Sequence, residues 1–471
     1  MRTIVIGGGI SGLVCAYRLR ELGIPILLLE QNQRVGGVID SVERDGFLFE
    51  LGPQSFLSTD RLLEVIDALG LTGELLRADP QAPRYALAGG KLHLVPTSPQ
   101  GLLITSLLGA RSKWRLFSEP VRRSRPPEDD ESVADFVRRK FGDEILERLV
   151  GPFVSGVYAG DPERLSLRSA FPSAYQWEKH FGSVIRGAMK SRPPKDQPRP
   201  ALCSFRSGVA ALTRALGEKL RESARCGASV VSVSRTKSNR ESEFQLQVES
   251  QGRTESLTAS TVVVATPTNV AGPLLTGLSP GFAEQFSRIE YAPVAVVATG
   301  YRKEQIGQPT NGFGFLVPRK EGLRLLGSVW NSSLFPGRAP EGMASLTSFA
   351  GGATDHELCR FDDSRIVKMI VGELAAVLKI SGPPVVQLVH RHARALPQYN
   401  LGHDKATAAL RELAAGVPGL FLAGNYLAGP AMGTCVEQAL QTAQTVREYL
   451  ASTGEIRPAQ ELDPSTILGH K

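Results

Sequence analysis

The chain has 471 residues, 42% hydrophobic and 21% charged, with a formal net charge of +7 at pH 7. That length can bury a large core and suits two or three domains, while basic residues spread along the chain without interleaved aromatics argue against a nucleic-acid module. The 5 cysteines (Cys15, Cys203, Cys226, Cys359 and Cys435) form no CxxC pairs, so neither a disulfide framework nor a zinc site is indicated, and a reducing compartment is the simplest setting.

The first residues carry the clearest signal. Thr3 to Ile6 is a β-branched apolar run suited to a buried parallel strand, broken by Gly7, Gly9 and Gly12 in a GxGxxG arrangement. Ser11 to Leu22 then reads as a helix whose first amides would face a phosphate. Ile26 to Leu29 predicts a second strand, with Glu30 at its tip to accept hydrogen bonds from ribose hydroxyls. Strand, helix, strand and acid together predict a dinucleotide site. The continuation, Arg34 followed by Gly36-Gly37, resembles the extension of flavoproteins of the glutathione-reductase and amine-oxidase type, which favours FAD over NAD.

Arg122–Ser132 and Lys190–Pro200 are proline-rich, charged and aperiodic, and read as mobile loops or connectors. Between them Val133–Phe141, Glu144–Val154 and Ala170–Met189 have helical periodicity. Two readings of this insert stay open: a membrane-associating face, or a helical core closing over a pocket. From Ser207 the pattern returns to α/β, with a helix, alternating strands and the apolar run TVVVATP. Tyr291–Gly300, GFGFLVP and RLLGSVW predict an antiparallel substrate domain, Asp362–Leu378 a helix, and the block from Gly419 a further strand, glycine turn and helix. There is no apolar leader before the first strand and no uncharged run of membrane-spanning length, which predicts a soluble or peripheral, cytoplasmic protein.

GGGISGL, ELGPQSFL, SGVYAGDPERLSLRSAFP, YAPVAVV, GFGFLVP and LPQYNLGH together resemble the oxygen-dependent protoporphyrinogen oxidase family of haem biosynthesis, over Thr3 to about Leu450. GVYAGDPERLS and PQYNLGH are the most particular of these. The resemblance implies an α/β fold with a Rossmann-like FAD-binding domain (1–77, 201–288 and 386–450), an α+β substrate domain (78–98 and 289–385), a helical domain (99–200) and a tail (451–471). It implies oxidation of a porphyrinogen in three two-electron steps through FAD to dioxygen, with hydrogen peroxide as by-product. Flavin is the hydride acceptor, and neither a catalytic side chain nor a metal is implied.

By position, the resemblance places Gly7, Gly8, Gly9, Ile10, Ser11, Gly12, Glu30, Gln31, Arg34, Gly37 and Val38 at the FAD phosphates and ribose. Gly52, Pro53, Gln54 and Ser55 would lie by the flavin and Val230 at the adenine end, with Gly424, Pro430, Ala431 and Met432 closing over the ring. Arg84 would pair with a substrate carboxylate, and Phe313, Gly314, Leu316 and Phe349 would sandwich the macrocycle. His392 and His403 read as structural histidines. A single evident cation tilts the substrate to protoporphyrinogen over coproporphyrinogen. An amine oxidase, a carotenoid desaturase, and a flavin-free binding protein on the same scaffold stay open, as do a homodimer and membrane contact.

Overall fold

The computed structural model describes residues 2–96, 98–191, 200–237 and 242–456. In chain order, the elements that build the site are β1 (Thr3–Ile6), α1 (Ile10–Glu21), β2 (Ile26–Glu30), β3 (Arg84–Ala88), β4 (Lys91–Leu94), α2 (Gly151–Tyr158), α3 (Ala210–Lys219), β5 (Ala224–Cys226), β6 (Thr261–Val264) and β7 (Tyr291–Arg302). They continue with β8 (Gly314–Leu316), β9 (Leu325–Val329), β10 (Met343–Gly351), α4 (Asp363–Leu378), β11 (Val386–Pro397), α5 (His403–Ala415), β12 (Leu420–Leu422) and α6 (Met432–Ser452).

β1, β2 and β6 are apolar runs, β-branched in β1 and β6 and leucine-rich in β2, as suits a sheet covered on both faces. The sheet is five-stranded and parallel, in the order β5-β2-β1-β6-β12. On one face α1, α3 and α6 contribute Leu13, Leu216 and Val436 to a shared core. On the other, a three-stranded meander and α5 contribute Phe244 and Leu410. The third strand of that meander, Arg253–Ala259, is largely exposed and lacks an apolar face, so periodicity did not reveal it.

The larger sheet has seven strands, in the order β11-β7-β10-β9-β8-β3-β4. It is mixed, correcting the antiparallel expectation: β3, from far upstream, runs parallel to β8. β11 is its edge strand, paired with β7 from Val386 to Pro397 around one register shift, so these residues, expected in the FAD-binding segment, are part of the large sheet. One face packs Val297, Phe315 and Leu346 against Ile366, Ile370 and Leu374 of α4. The opposite face carries Ala86 into the core of the helical segment, with Phe136, Val154 and Leu165.

The helical segment is more broken than its periodicity suggests. α2 follows a π-helical turn at Leu146–Val150; Pro152, which has no N–H to donate, sits just beyond it. Ala170–Met189 divides at Pro172 and at left-handed Gly182 into three helices. The Arg122–Ser132 stretch is irregular but anchored: Asp130 accepts from Ser166 Oγ (2.7 Å) and the Gly402 amide (3.0 Å), and Glu131 pairs with Arg139 (2.7 Å). Of Lys190–Pro200, residues 192–199 lie outside the described residues.

Candidate active site

Three structures converge: a glycine cradle, a strap leading out of it, and one face of the large sheet. In the cradle Gly7 has φ +105°, and a Cβ there would stand 2.8 Å from the Ala265 carbonyl oxygen. A Cβ on Gly12 would lie 1.9 Å from the Gly7 carbonyl oxygen, which no side chain permits. Gly9 faces open space, so its backbone can be approached by a ligand. Gly9 also caps α1 without a side chain, and no acidic residue stands in the first turn; the amides around Ile10 and Ser11 therefore present a positive helix end. Gly37 (φ +59°) lies against Gly9 and closes the loop from the other side, with Val38 exposed beside it.

Glu30 is 5% exposed and held on three sides: Oε2 accepts from the Gly8 amide (2.7 Å), and Oε1 from the backbone amide and side-chain nitrogen of Asn32 (2.8 and 2.6 Å). A carboxylate offers about four lone-pair sites, so one stays free for a ribose hydroxyl. Gln31 next to it is exposed. Gly227 donates to the Asn32 carbonyl (2.8 Å), which ties this loop to the start of the meander strand that carries Val230 at a β-bulge. Arg34 braces the loop itself, through Asp40 (3.0 Å) and the carbonyls of Gly37 and Ile39 (both 3.3 Å). These features fit a bound dinucleotide.

At the other end of the cradle, Gly424 and Gly429 have φ +146° and +147°, values open to glycine, and lead into α6 through Pro430 and Ala431. Ala431 caps α6 without a side-chain bond, so a second positive helix end begins at Met432. Cys435 lies beside Ser11 in this region, its thiol pushed up to about 11 by burial, which keeps it protonated and inert.

The strap Glu50–Ser55 crosses from the cradle to the sheet, and the sheet's side chains hold it. The Glu50 carboxylate, fully buried, meets Arg338 (3.3 Å), Ser41 Oγ and the Val209 amide (3.0 Å). His392 Nε2 donates to the Leu51 carbonyl (2.7 Å), which fixes its tautomer; burial moves this imidazole below its ordinary pKa, as it does His390, whose ring is 4.4 Å away. Gln54 donates to the carbonyls of Glu50 and Gly52 (3.0 Å each), so its oxygen is the acceptor for Asn331 Nδ2 at 2.7 Å. Gly52 passes so close to Val38 that a Cβ would stand 2.1 Å from its carbonyl oxygen. Pro53 and Ser55 are half-buried in the same turn.

Strand register lines up the remaining predicted residues. Leu316, Gly327, Phe349 and Val296 are neighbours across β8, β9, β10 and β7, and a Cβ on Gly327 would stand 2.6 Å from the Phe315 carbonyl oxygen and 3.2 Å from Leu316 Cδ2, so Leu316 lies against it. One row further on, Arg84 pairs with Gly314. The Arg84 guanidinium is exposed and lies 5.3 Å from the centroid of the Phe313 ring. Phe313 packs with Leu334 and Phe335, and its carbonyl accepts from the Trp330 amide (2.9 Å), next to Asn331. Against Leu316 stands α2: a Cβ on Gly156 would meet Leu316 Cδ2 at 2.3 Å. The result is an apolar floor with a cation at one end, adjoining the strap. His403, by contrast, is buried beside Tyr399, and burial lowers its pKa to about 4.

The model of flavin-containing amine oxidoreductases matches residues 10–447. The chain belongs to that family. A chloroplastic protoporphyrinogen oxidase of Oryza sativa is 38% identical over 95% of this chain and 88% of its own length. The coproporphyrinogen III oxidase of Bacillus subtilis is 29% identical over 95% and 98%. The crystal structure of an Exiguobacterium protein superposes with a TM-score of 0.79 at 24% identity, covering 95% of this chain and 98% of that one. The family member described here is an FAD-dependent oxidoreductase, with the expected α/β FAD-binding architecture.

Reading the sequence did not find Asn331, Arg338, Gly156 or Gly327. Asn331 opens a short serine-rich helix, Asn331–Leu334, and Arg338 lies in FPGRAP, which reads as an exposed loop although the residue is fully buried. Gly327 in RLLGSVW carried the better signal, since glycine inside a strand marks a close approach.

Proposed function

We propose that this enzyme oxidises protoporphyrinogen IX to protoporphyrin IX, with dioxygen as the acceptor that regenerates FAD and hydrogen peroxide as by-product. The observation that carries the reading is the apolar row Leu316–Gly327–Phe349, with Arg84 at its end and the strap beside it. A flat, greasy, carboxylate-bearing ring suits such a floor, and a guanidinium suits its propionate. When bound, FAD supplies the two-electron redox chemistry, used three times to remove six electrons.

The chain's own residues do the placing. Gly7 to Gly12, Glu30, Gln31, Arg34, Gly37, Val38 and Val230 hold the adenine, ribose and phosphates. Gly52 to Ser55, Gly424 and Pro430 to Met432 frame the isoalloxazine. Arg84, Phe313, Gly314, Leu316 and Phe349 orient the macrocycle so that a bridging-carbon hydride lies within reach and water is excluded. The accompanying division is an FAD-binding domain of 1–77, 201–288 and 398–450, a substrate domain of 78–98 and 289–397, and a helical domain of 99–200.

Side-by-side turnover of protoporphyrinogen IX and coproporphyrinogen III, read by porphyrin fluorescence, tests the assignment. Faster turnover of protoporphyrinogen is expected. A clear preference for coproporphyrinogen, which carries four propionates, would overturn it.

No helix among the described residues is long and apolar enough to cross a membrane. The helical segment nevertheless exposes Leu103, Ile104, Trp114, Phe117 and Val121. With the exposed Arg111 close to them in sequence, these side chains support peripheral contact with anionic lipid at the cytoplasmic surface. Co-sedimentation with vesicles containing anionic lipid is the check; recovery of all the protein in the supernatant would refute it.

A further inference from the structure

The two most particular stretches of the sequence, GVYAGDPERLS (156–166) and PQYNLGH (397–403), contribute no residue to the cradle or the sheet floor proposed above, except that Gly156 abuts Leu316. They lie against each other. The Ser166 amide donates to the Tyr399 carbonyl (2.8 Å), the Leu401 amide to the Arg164 carbonyl (2.9 Å), and Leu165 and Asn400 bridge as a single antiparallel pair.

At the centre of this seam are two side chains, each 2% exposed. Gln398 Nε2 donates to the Tyr158 carbonyl (2.9 Å), the last residue of α2. The Tyr399 hydroxyl donates to the carbonyl of Asn425, next to Gly424. Burial raises the Tyr399 phenol well above its ordinary range, so it stays a donor at neutral pH. One neighbouring pair of residues thus grips the helix standing on Leu316 and the loop expected to frame the flavin ring.

Hydride transfer depends on the gap between those two surfaces, because reacting atoms must approach to about 3–3.5 Å. We propose that Gln398 and Tyr399 are positioning residues that set the spacing between the loop Gly424–Met432 and helix α2, and with it the alignment of the substrate with the flavin. This rests on the porphyrinogen-oxidase reading above. Neither residue acts as an acid, base or hydride acceptor; both act through backbone carbonyls of the elements they hold.

The test uses the full-length, FAD-loaded enzyme with Tyr399→Phe, which keeps the ring, and Gln398→Met, which keeps the length. Each is mixed anaerobically with protoporphyrinogen IX and the bleaching of the flavin followed by stopped flow. Reoxidation by dioxygen, flavin content, unfolding midpoint and the visible circular dichroism of the oxidised flavin are read on the same samples. Bleaching should slow about tenfold in each variant, short of the roughly hundredfold that a misplacement of about 1 Å can cost. Flavin content and reoxidation should stay within about twofold of wild type, and the visible dichroism should change. Wild-type bleaching rates with unchanged dichroism would overturn the proposal, as would rate losses that simply track lost flavin or a lowered midpoint. If Tyr399→Phe does not fold, Gln398→Met decides by the same criteria. A wild-type enzyme that protoporphyrinogen does not bleach overturns the functional reading, and the proposal with it.

Discussion

Arg338→Met tests the buried pair that holds the strap. Arg338 and Glu50 have side-chain exposures of 0% and 1%, with Nη2 to Oε1 at 3.3 Å, and Arg338 also donates to Ser204 Oγ (2.6 Å) and the Phe205 carbonyl (3.1 Å). Removing one partner leaves a buried carboxylate uncompensated, which typically costs about 3–5 kcal/mol. Burial is the leading influence on Glu50 and raises its pKa, opposed first by the Ser41 hydrogen bond and then by Arg338. A carboxylate whose folded pKa lies above its unfolded value stabilises fully below the unfolded pKa and loses that contribution as pH rises through the folded one. Without Arg338 the window extends upward, so the penalty should be larger at pH about 8 than at pH about 5. Denaturant unfolding of wild type, Arg338→Met and Arg338→Met/Glu50→Gln at both pH values is the assay. The neutral glutamine should restore much of the lost stability and flatten the pH dependence of the single variant. A single variant as stable as wild type at pH about 8, or a double variant no more stable than the single, would refute the reasoning.

Three further outcomes are expected. Gly12→Ala must displace the Gly7 carbonyl, and overpacking of this kind costs about 1–3 kcal/mol; the affinity of the apoprotein for FAD, followed by flavin fluorescence, should fall about tenfold or more. If Arg84 holds a substrate carboxylate as proposed, Arg84→Ala removes a charge-assisted contact worth about 1.5–3 kcal/mol, so KM for protoporphyrinogen should rise about tenfold or more with kcat nearly unchanged; an unchanged KM would remove Arg84 from the substrate site. His403, neutral when folded with a pKa of about 4, destabilises the protein as pH falls from its ordinary value near 6.5 toward 4, because the unfolded chain binds the proton first. His403→Phe should therefore lose less stability than wild type over that range, by up to about 3 kcal/mol, and equal acid sensitivity of the two proteins would contradict this.

What the sequence made legible was local. Gly7, Gly12 and Glu30 lie within one βαβ unit, where strand period, helix start and glycine spacing are set by neighbours along the chain, so the cradle could be read directly. The floor of the candidate substrate site is non-local: Arg84 meets Gly314, and Leu316 meets Phe349 across Gly327, through pairings that no periodicity encodes. Of those residues the family resemblance implies Arg84, Gly314, Leu316 and Phe349, but not Gly327. The seam is non-local too, although its two halves had already stood out as the most particular stretches.

The strap explains why three polar side chains of the large sheet are concentrated where they are. Arg338, Asn331 and His392 all belong to the large sheet or the turns between its strands, yet each one's polar atoms engage Glu50, Gln54 or Leu51 on the segment beside the cradle. A buried polar side chain is tolerated only when its partners are present, so these contacts cannot form until sheet and cradle have docked. Order in the strap is therefore conditional on the large sheet being folded against it. The turn expected to touch the flavin and the surface expected to carry the substrate are held in register by the same three side chains.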